Sequence, residues 1–186
     1  MTAGSEAPFI VVVTGASGAG KTAIVQAVEA RGIDGVGCFY FDTIGVPKPS
    51  VMIEQYGTPD EWQQAMTQRW IERLVSEKQL AVAVLDGQTR PSFVRQVFRQ
   101  AGHNAGLIVL VDCEGPVRED RLRRIRGQPE LASDRMDSWA AYLRGQADAL
   151  GLPIIDTTSL TPEEGASALL SFVETDATSL KGQPEP

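Results

Sequence analysis

The sequence predicts a three-layer α/β/α protein built on a five-stranded parallel sheet, and three observations predict it. Five apolar, strand-like runs alternate with segments of helical pattern, an order that yields right-handed βαβ crossovers with helices on both faces of the sheet. Leu80–Leu85 and Ala105–Val111 are apolar without a break, as strands buried on both faces are. Each run ends in a polar group, Thr14, Asp42, Asp86, Asp112 or Asp156. In a parallel sheet these distant positions share one rim, at the carboxyl ends of the strands, where ligands gather.

The first strand, Phe9–Val13, leads into the stretch around which the chain is organised, Val11–Thr22 (VVVTGASGAGKT). It matches G-x-x-x-x-G-K-[ST] at Gly15, Gly20, Lys21 and Thr22, and a helical run, Ala23–Ala30, follows. Strand, glycine loop and helix together specify a phosphate cradle. Gly15, Ala16, Ser17, Gly18, Ala19 and Gly20 are expected to wrap backbone N–H groups around phosphate oxygens, because glycine permits the tight turn. The helix adds its positive dipole end and its unpaired N–H groups. Lys21 is expected to reach the β- and γ-phosphates, and Thr22 to place a hydroxyl on Mg²⁺.

The second strand, Val36–Asp42, opens into a Gly/Pro loop, Thr43–Ser50. Thr58-Pro59-Asp60-Glu61 has the form of a capping box with Pro in the first turn. Its helix carries Trp62, Ala65, Met66, Trp70 and Leu74 on one stripe, which marks core or the wall of a cleft. The third strand, Leu80–Leu85, ends at Asp86-Gly87, and a helix over Ser92–Ala101 leads to the fourth, Ala105–Val111. Pro116–Arg126 reads as a helix broken by Gly127-Gln128-Pro129, and Arg135–Leu150 resumes it. Asp112 is expected to cap the first of these helices, and Asp156 to start a turn after the last strand, Pro153–Asp156. A second capping box, Thr161–Glu164, opens a final helix to Val173. Residues 1–174 form one domain, and the polar stretch 175–186, ending Pro-Glu-Pro, is expected to be disordered.

A chain of 186 residues suffices for one domain with a sizeable core. Its formal net charge of −7 argues against non-specific binding to nucleic acid or an anionic membrane. Cys38 and Cys113 lack zinc-type spacing and are expected to be buried and reduced. Met1–Pro8 is too short and polar for a signal peptide, and no run approaches membrane-spanning length. A cytoplasmic protein is the expectation.

Asp86 follows the strand expected beside the loop strand, where an acid holds Mg²⁺ through water or takes a proton from an acceptor hydroxyl. Asp42 enters a loop long enough to wall an acceptor pocket. Arg90 projects from the same edge. Arg121, Arg123, Arg124, Arg126 and Arg135 flank the Gly-Gln-Pro break, the pattern of a short lid with cations for a transferring phosphoryl group. His103 lies in a helix-to-strand turn at the far edge and receives no catalytic role.

The loop, the motif Asp86-Gly87-Gln88-Thr89-Arg90, and Asp112 with Asp120-Arg121-Leu122 and Arg126 resemble the nucleoside monophosphate kinase-like group of P-loop kinases. That group includes adenylate, shikimate and gluconate kinases, and the resemblance spans Phe9 to Val173. It implies the strand order 2-3-1-4-5 and a mobile lid. By position it implies Lys21 and Thr22 on ATP and Mg²⁺, Arg90 on acceptor or transferred phosphate, and Arg121 beside the adenine. Arg126 and Arg135 resemble lid arginines, and Asp42 resembles the acid that contacts an acceptor hydroxyl. Gln88-Thr89 replaces an aromatic-Pro pair of adenylate kinase-like members, and the lid, Gly127–Asp134, is short. These departures point away from a nucleotide acceptor.

The reading is ATP- and Mg²⁺-dependent phosphoryl transfer to a small-molecule acceptor, its hydroxyl or its phosphate, with Asp42 or Asp86 aligning or deprotonating it. Catalysis is assigned to Lys21, Asp42, Asp86, Arg90, Arg126 and Arg135, the nucleotide to the loop with Arg121, and the metal to Thr22 and Asp86. The alternative is a nucleotide-binding or ATPase regulatory module without an acceptor.

Overall fold

The computed structural model describes residues 7–103 and 105–181. Five parallel strands, β1 (Phe9–Thr14), β2 (Val36–Tyr40), β3 (Val82–Asp86), β4 (Gly106–Asp112) and β5 (Ile154–Asp156), stand in the order β2-β3-β1-β4-β5. The alternation along β1 shows why the sheet is covered twice. Phe9, Val11 and Val13 face one core, with Ile24, Val25 and Val28 of α1 (Lys21–Ala30) and Ala166 and Leu169 of α7 (Pro162–Lys181). Ile10 and Val12 face the other. There they meet Trp62, Met66, Trp70 and Leu74 of α3 (Pro59–Val75) and Val94 and Phe98 of α4 (Pro91–Gln100). Leu143 and Ala147 of α6 (Asp134–Leu150) pack on Leu110 of β4.

Both capping boxes form. Glu61 N–H donates to Thr58 Oγ1 (3.1 Å), and Thr161 N–H donates to Glu164 Oε2 (2.8 Å). Each such cap stabilises its helix by about 1 kcal/mol.

The structure departs from the expected elements in four places. β2 ends at Tyr40, opposite Asp86 of β3, and Asp42 lies in a 3-10 turn, Phe41–Ile44. Within the expected loop, Pro49 opens a helix, α2 (Pro49–Tyr56), of which only Met52 is buried. The helix expected over Pro116–Arg126 is α5 (Gly115–Asp120) followed by a π turn, Arg121–Ile125. Asp112 does not cap it; Glu114 sits at the cap position, and Asp112 accepts from Arg144 of α6 (3.5 Å). Finally, α7 continues past Val173 to Lys181, so part of the stretch expected to be disordered is helical, and 182–186 lie outside the described residues.

Candidate active site

The register of the central strands builds the site. Val13 of β1 is opposite Asp86 of β3, so the glycine loop leaves the sheet beside that carboxylate. Gly15 turns at the point of closest approach. A Cβ there would lie 2.1 Å from the Val111 carbonyl oxygen of β4, and φ is +154°. Gly20 ends the loop, and the first intrahelical bond of α1 runs from Ile24 N–H to Gly20 O (3.1 Å). The N–H groups of the preceding residues, in the first turn, have no intrahelical acceptor; with the helix dipole they favour an anion at this point.

Lys21 is buried and donates to Ala16 O (3.0 Å). Burial pulls its ammonium below the ordinary lysine range, while Asp86 acts in the opposite direction. Asp86 is buried too, and burial pushes its carboxyl up, against Lys21 and the Thr22 hydrogen bond, which pull it down. Thr22 donates its hydroxyl to Asp86 Oδ2 (2.5 Å). Both groups therefore carry a desolvation cost that a docked polyanion and its cation would relieve.

Oxygen donors of this kind suit Mg²⁺. The ion takes few protein ligands and completes its shell with water and phosphate oxygens. Among the described residues no three His, Cys, Asp or Glu side chains form a metal-binding group; the oxygen donors at this point are Thr22 Oγ1 and Asp86 Oδ2.

Beside the loop lies a cavity of about 520 Å³, lined by Gly18, Gly20, Thr22, Ile24, Arg121, Ile125, Arg126, Thr157, Leu160 and Pro162. Its size and mixed lining suit a nucleoside. Arg121 is fixed at its edge, donating to Thr157 Oγ1 (2.8 Å) and Thr157 O (2.7 Å). Thr157 Oγ1 donates in turn to Ala19 O (2.6 Å). Thr157 thus ties the loop to the strand-five rim. Sequence reading missed it; its signal was its place after Asp156 on the same rim as the other strand ends.

On the β2 side stands Asp42, exposed in its turn and close enough to act electrostatically on both Lys21 and Asp86. Trp70 holds that turn, donating Nε1–H to Phe41 O (3.1 Å), and Phe41 packs edge-on against Trp62. The two tryptophans are buried core residues whose effect on the site is to place Asp42. Gly87 serves the same packing, since a Cβ there would meet Phe41 Cβ at 2.8 Å.

The remaining arginines divide. Arg126 lines the cavity beside the loop and acts electrostatically on Lys21. Arg90 is turned to α3, donating to Gln63 Oε1 (2.7 Å) and Asp60 Oδ1 (2.8 Å). Arg123 and Arg124 pair with Glu119 and Asp120 on the surface. Arg118 is buried and joins Cys113 O to Asp137, tying α5 to α6. Arg135 is exposed and lines none of these features; the buried stripe Ala140, Leu143 and Ala147 fixes the rotation of α6, and Arg135 falls off it. A larger hollow, about 650 Å³, lies at the opposite end of the strands among Arg95, Arg99, His103 and Phe172. It is remote from the loop chemistry.

The chain has the fold of the nucleoside monophosphate kinase-like P-loop kinases: five parallel strands in the order 2-3-1-4-5, with helices on both faces and the glycine loop after the central strand. It superposes on a gluconokinase from Sinorhizobium meliloti 1021 with a TM-score of 0.64 at 19% identity, covering 97% of this chain and 99% of that one. The match to shikimate kinase from Acinetobacter baumannii in complex with shikimate has a TM-score of 0.61 at 17% identity, covering 92% and 96%. The tunicamycin resistance protein of Deinococcus radiodurans matches with a TM-score of 0.62 at 19% identity, covering 89% and 95%. At such identities the likeness is one of fold. No family model matches the sequence, and no curated protein matches it.

Proposed function

We propose that this chain is a phosphotransferase that moves the γ-phosphoryl group of ATP to a small-molecule acceptor with Mg²⁺. The observation that carries this reading is the cluster of buried Lys21 and Asp86 with exposed Thr22, bonded to Asp86, at the exit of adjacent parallel strands. Shikimate kinase and gluconokinase among the structural neighbours support it.

Mg²⁺ would supply charge neutralisation to the phosphates. The residues of the chain do the rest. Lys21 sits where a phosphate replaces Ala16 O as its partner, so its charge is matched on binding. Arg121 borders the base, and Arg126 adds a second cation to the phosphate side. Asp42, reaching the same cluster from the second strand, orients an acceptor hydroxyl and receives its proton, with Asp86 next to it. Arg118, tied to Asp137, anchors the short lid that keeps water from the phosphoryl group. Arg90 orders the acceptor wall. Arg135 has no part in the cluster as it stands and joins only by movement of the lid. Among the described residues no helix is long and apolar enough to cross a membrane, and Cys38 and Cys113 are free thiols. A reducing, ATP-rich cytoplasm fits both.

The test is ADP release over a panel of hydroxyl compounds, with Lys21→Ala as the control. Acceptor-stimulated release is expected from the wild-type chain and not from Lys21→Ala, whose far-UV circular dichroism stays native. Full phosphotransfer by Lys21→Ala would sink the assignment. If no acceptor raises ADP release, a nucleotide-binding or ATPase regulatory module takes its place.

A further inference from the structure

We infer that the acceptor is an uncharged polyhydroxylated compound, such as a sugar, cyclitol or glycoside, and that Asp60 excludes carboxylated and phosphorylated acceptors by occupying Arg90. The inference rests on the phosphotransferase reading and names the substrate class of that same site.

A continuous chain of hydrogen bonds links the glycine loop to the acceptor wall. Ser17 Oγ donates to Gln88 Oε1 (2.9 Å), and Gln63 Nε2 donates to Gln88 O (2.8 Å). Arg90 Nη1 donates to Gln63 Oε1 (2.7 Å), and Arg90 Nη2 donates to Asp60 Oδ1 (2.8 Å). Gln63 therefore has its amide fixed at both ends. The guanidinium also lies over the Trp139 ring (4.9 Å) and near Phe93 (5.2 Å) and Tyr142 (5.8 Å). Its side chain is 16% exposed, against 63% for Asp60.

An arginine meant for an acceptor anion keeps its fork open, because a bidentate carboxylate or phosphate needs both terminal nitrogens. Here each terminal nitrogen already donates one hydrogen bond, the charge is matched by a carboxylate, and aromatic rings hold the plane in place. An anionic acceptor would have to displace Asp60 from Arg90 and then lie near two carboxylates, Asp60 and Asp42, and the ATP phosphates. A neutral polyol meets none of these penalties. Carboxylate oxygens accept from hydroxyls.

Asp60 also stands in the first turn of α3, so Asp60→Asn keeps shape while releasing Arg90. The experiment compares matched pairs as acceptors, an aldose against its aldonic acid and its sugar phosphate, and a nucleoside against its monophosphate. For the wild-type chain the neutral member is expected to have a kcat/KM about tenfold or more above the anionic one, the scale of a charged hydrogen bond lost or gained. In Asp60→Asn the anionic member gains about tenfold relative to the neutral one. A wild-type preference for the anionic members overturns the inference while leaving phosphotransfer standing, and so does an unchanged ratio in Asp60→Asn. Absence of transfer to every compound, with ATP still bound, removes both.

Discussion

Replacing Gly15 by alanine tests the loop at its tightest point. The new Cβ would sit 2.1 Å from Val111 O, where real contacts keep at least 3.0 Å. The obstacle is a strand, not a flexible side chain. Val111 is fully buried in β4 and in register with Ile155 of β5, so either β4 or the loop must move by about 1 Å, overpacking that costs roughly 1–3 kcal/mol. The φ of +154° adds backbone strain of about 1–3 kcal/mol. Together these predict a loss of about 2–6 kcal/mol, or roughly 4–24 °C in melting temperature for a chain of this size. Gly127→Ala is the control, since φ there is +59° but nothing lies within 4 Å, and strain alone costs about 1–2 kcal/mol. Melting followed by circular dichroism, with and without ATP, reads both effects. Gly15→Ala is expected to melt well below Gly127→Ala and to lose the upward shift that ATP gives the wild-type chain. If the two variants melt together, glycine is not required at position 15 by the neighbouring strand, and the steric argument fails.

Two further outcomes follow from the site and the far edge. Thr157→Val removes a buried hydroxyl that bonds Ala19 O and receives Arg121; the melting temperature is expected to fall by roughly 2–12 °C, for about 1–3 kcal/mol of lost hydrogen bonding, and ATP affinity by calorimetry to fall about tenfold as the loop and Arg121 lose their tie. Burial holds the His103 imidazole below its ordinary value of 6.5, against a backbone hydrogen bond with Ala105 that acts the other way. The folded state then binds this proton more weakly than the unfolded chain, so the contribution is whole above pH 6.5 and is lost as pH falls through the folded value. Urea midpoints at pH 7 and pH 5.5 are expected to fall less in His103→Gln than in the wild-type chain; equal falls would contradict the assignment.

The sheet was legible because strands buried on both faces announce themselves by composition. Strand order came from resemblance, and the loop from a motif whose residue types are fixed by phosphate chemistry. Local signals found both capping boxes. The second helix was hidden: only Met52 of α2 is buried, so no apolar stripe marks it, although Pro49 at its start was a usable sign. The placement of Asp42 depended on where β2 stops, and that is set by pairing with β3 rather than by the apolar run. Arg90 was legible as a cation at the rim, but its partners lie on α3 and α6, and side-chain pairing across elements leaves no local trace. Thr157 was illegible for the same reason, its partners being Ala19 and Arg121.

The π turn at Arg121–Ile125 has a consequence for how the cations can be counted along the chain. In an α-helix, residues five apart point about 140° away from each other. Arg121 and Arg126, five apart and joined by the Arg126 N–H to Arg121 O bond (2.9 Å), both line the cavity beside the loop. The widened turn absorbs one extra residue and returns the chain to the same side. Regular α-helical winding through the same residues would swing Arg126 out of the cavity without changing one side chain, so the widening of this turn is itself part of the site.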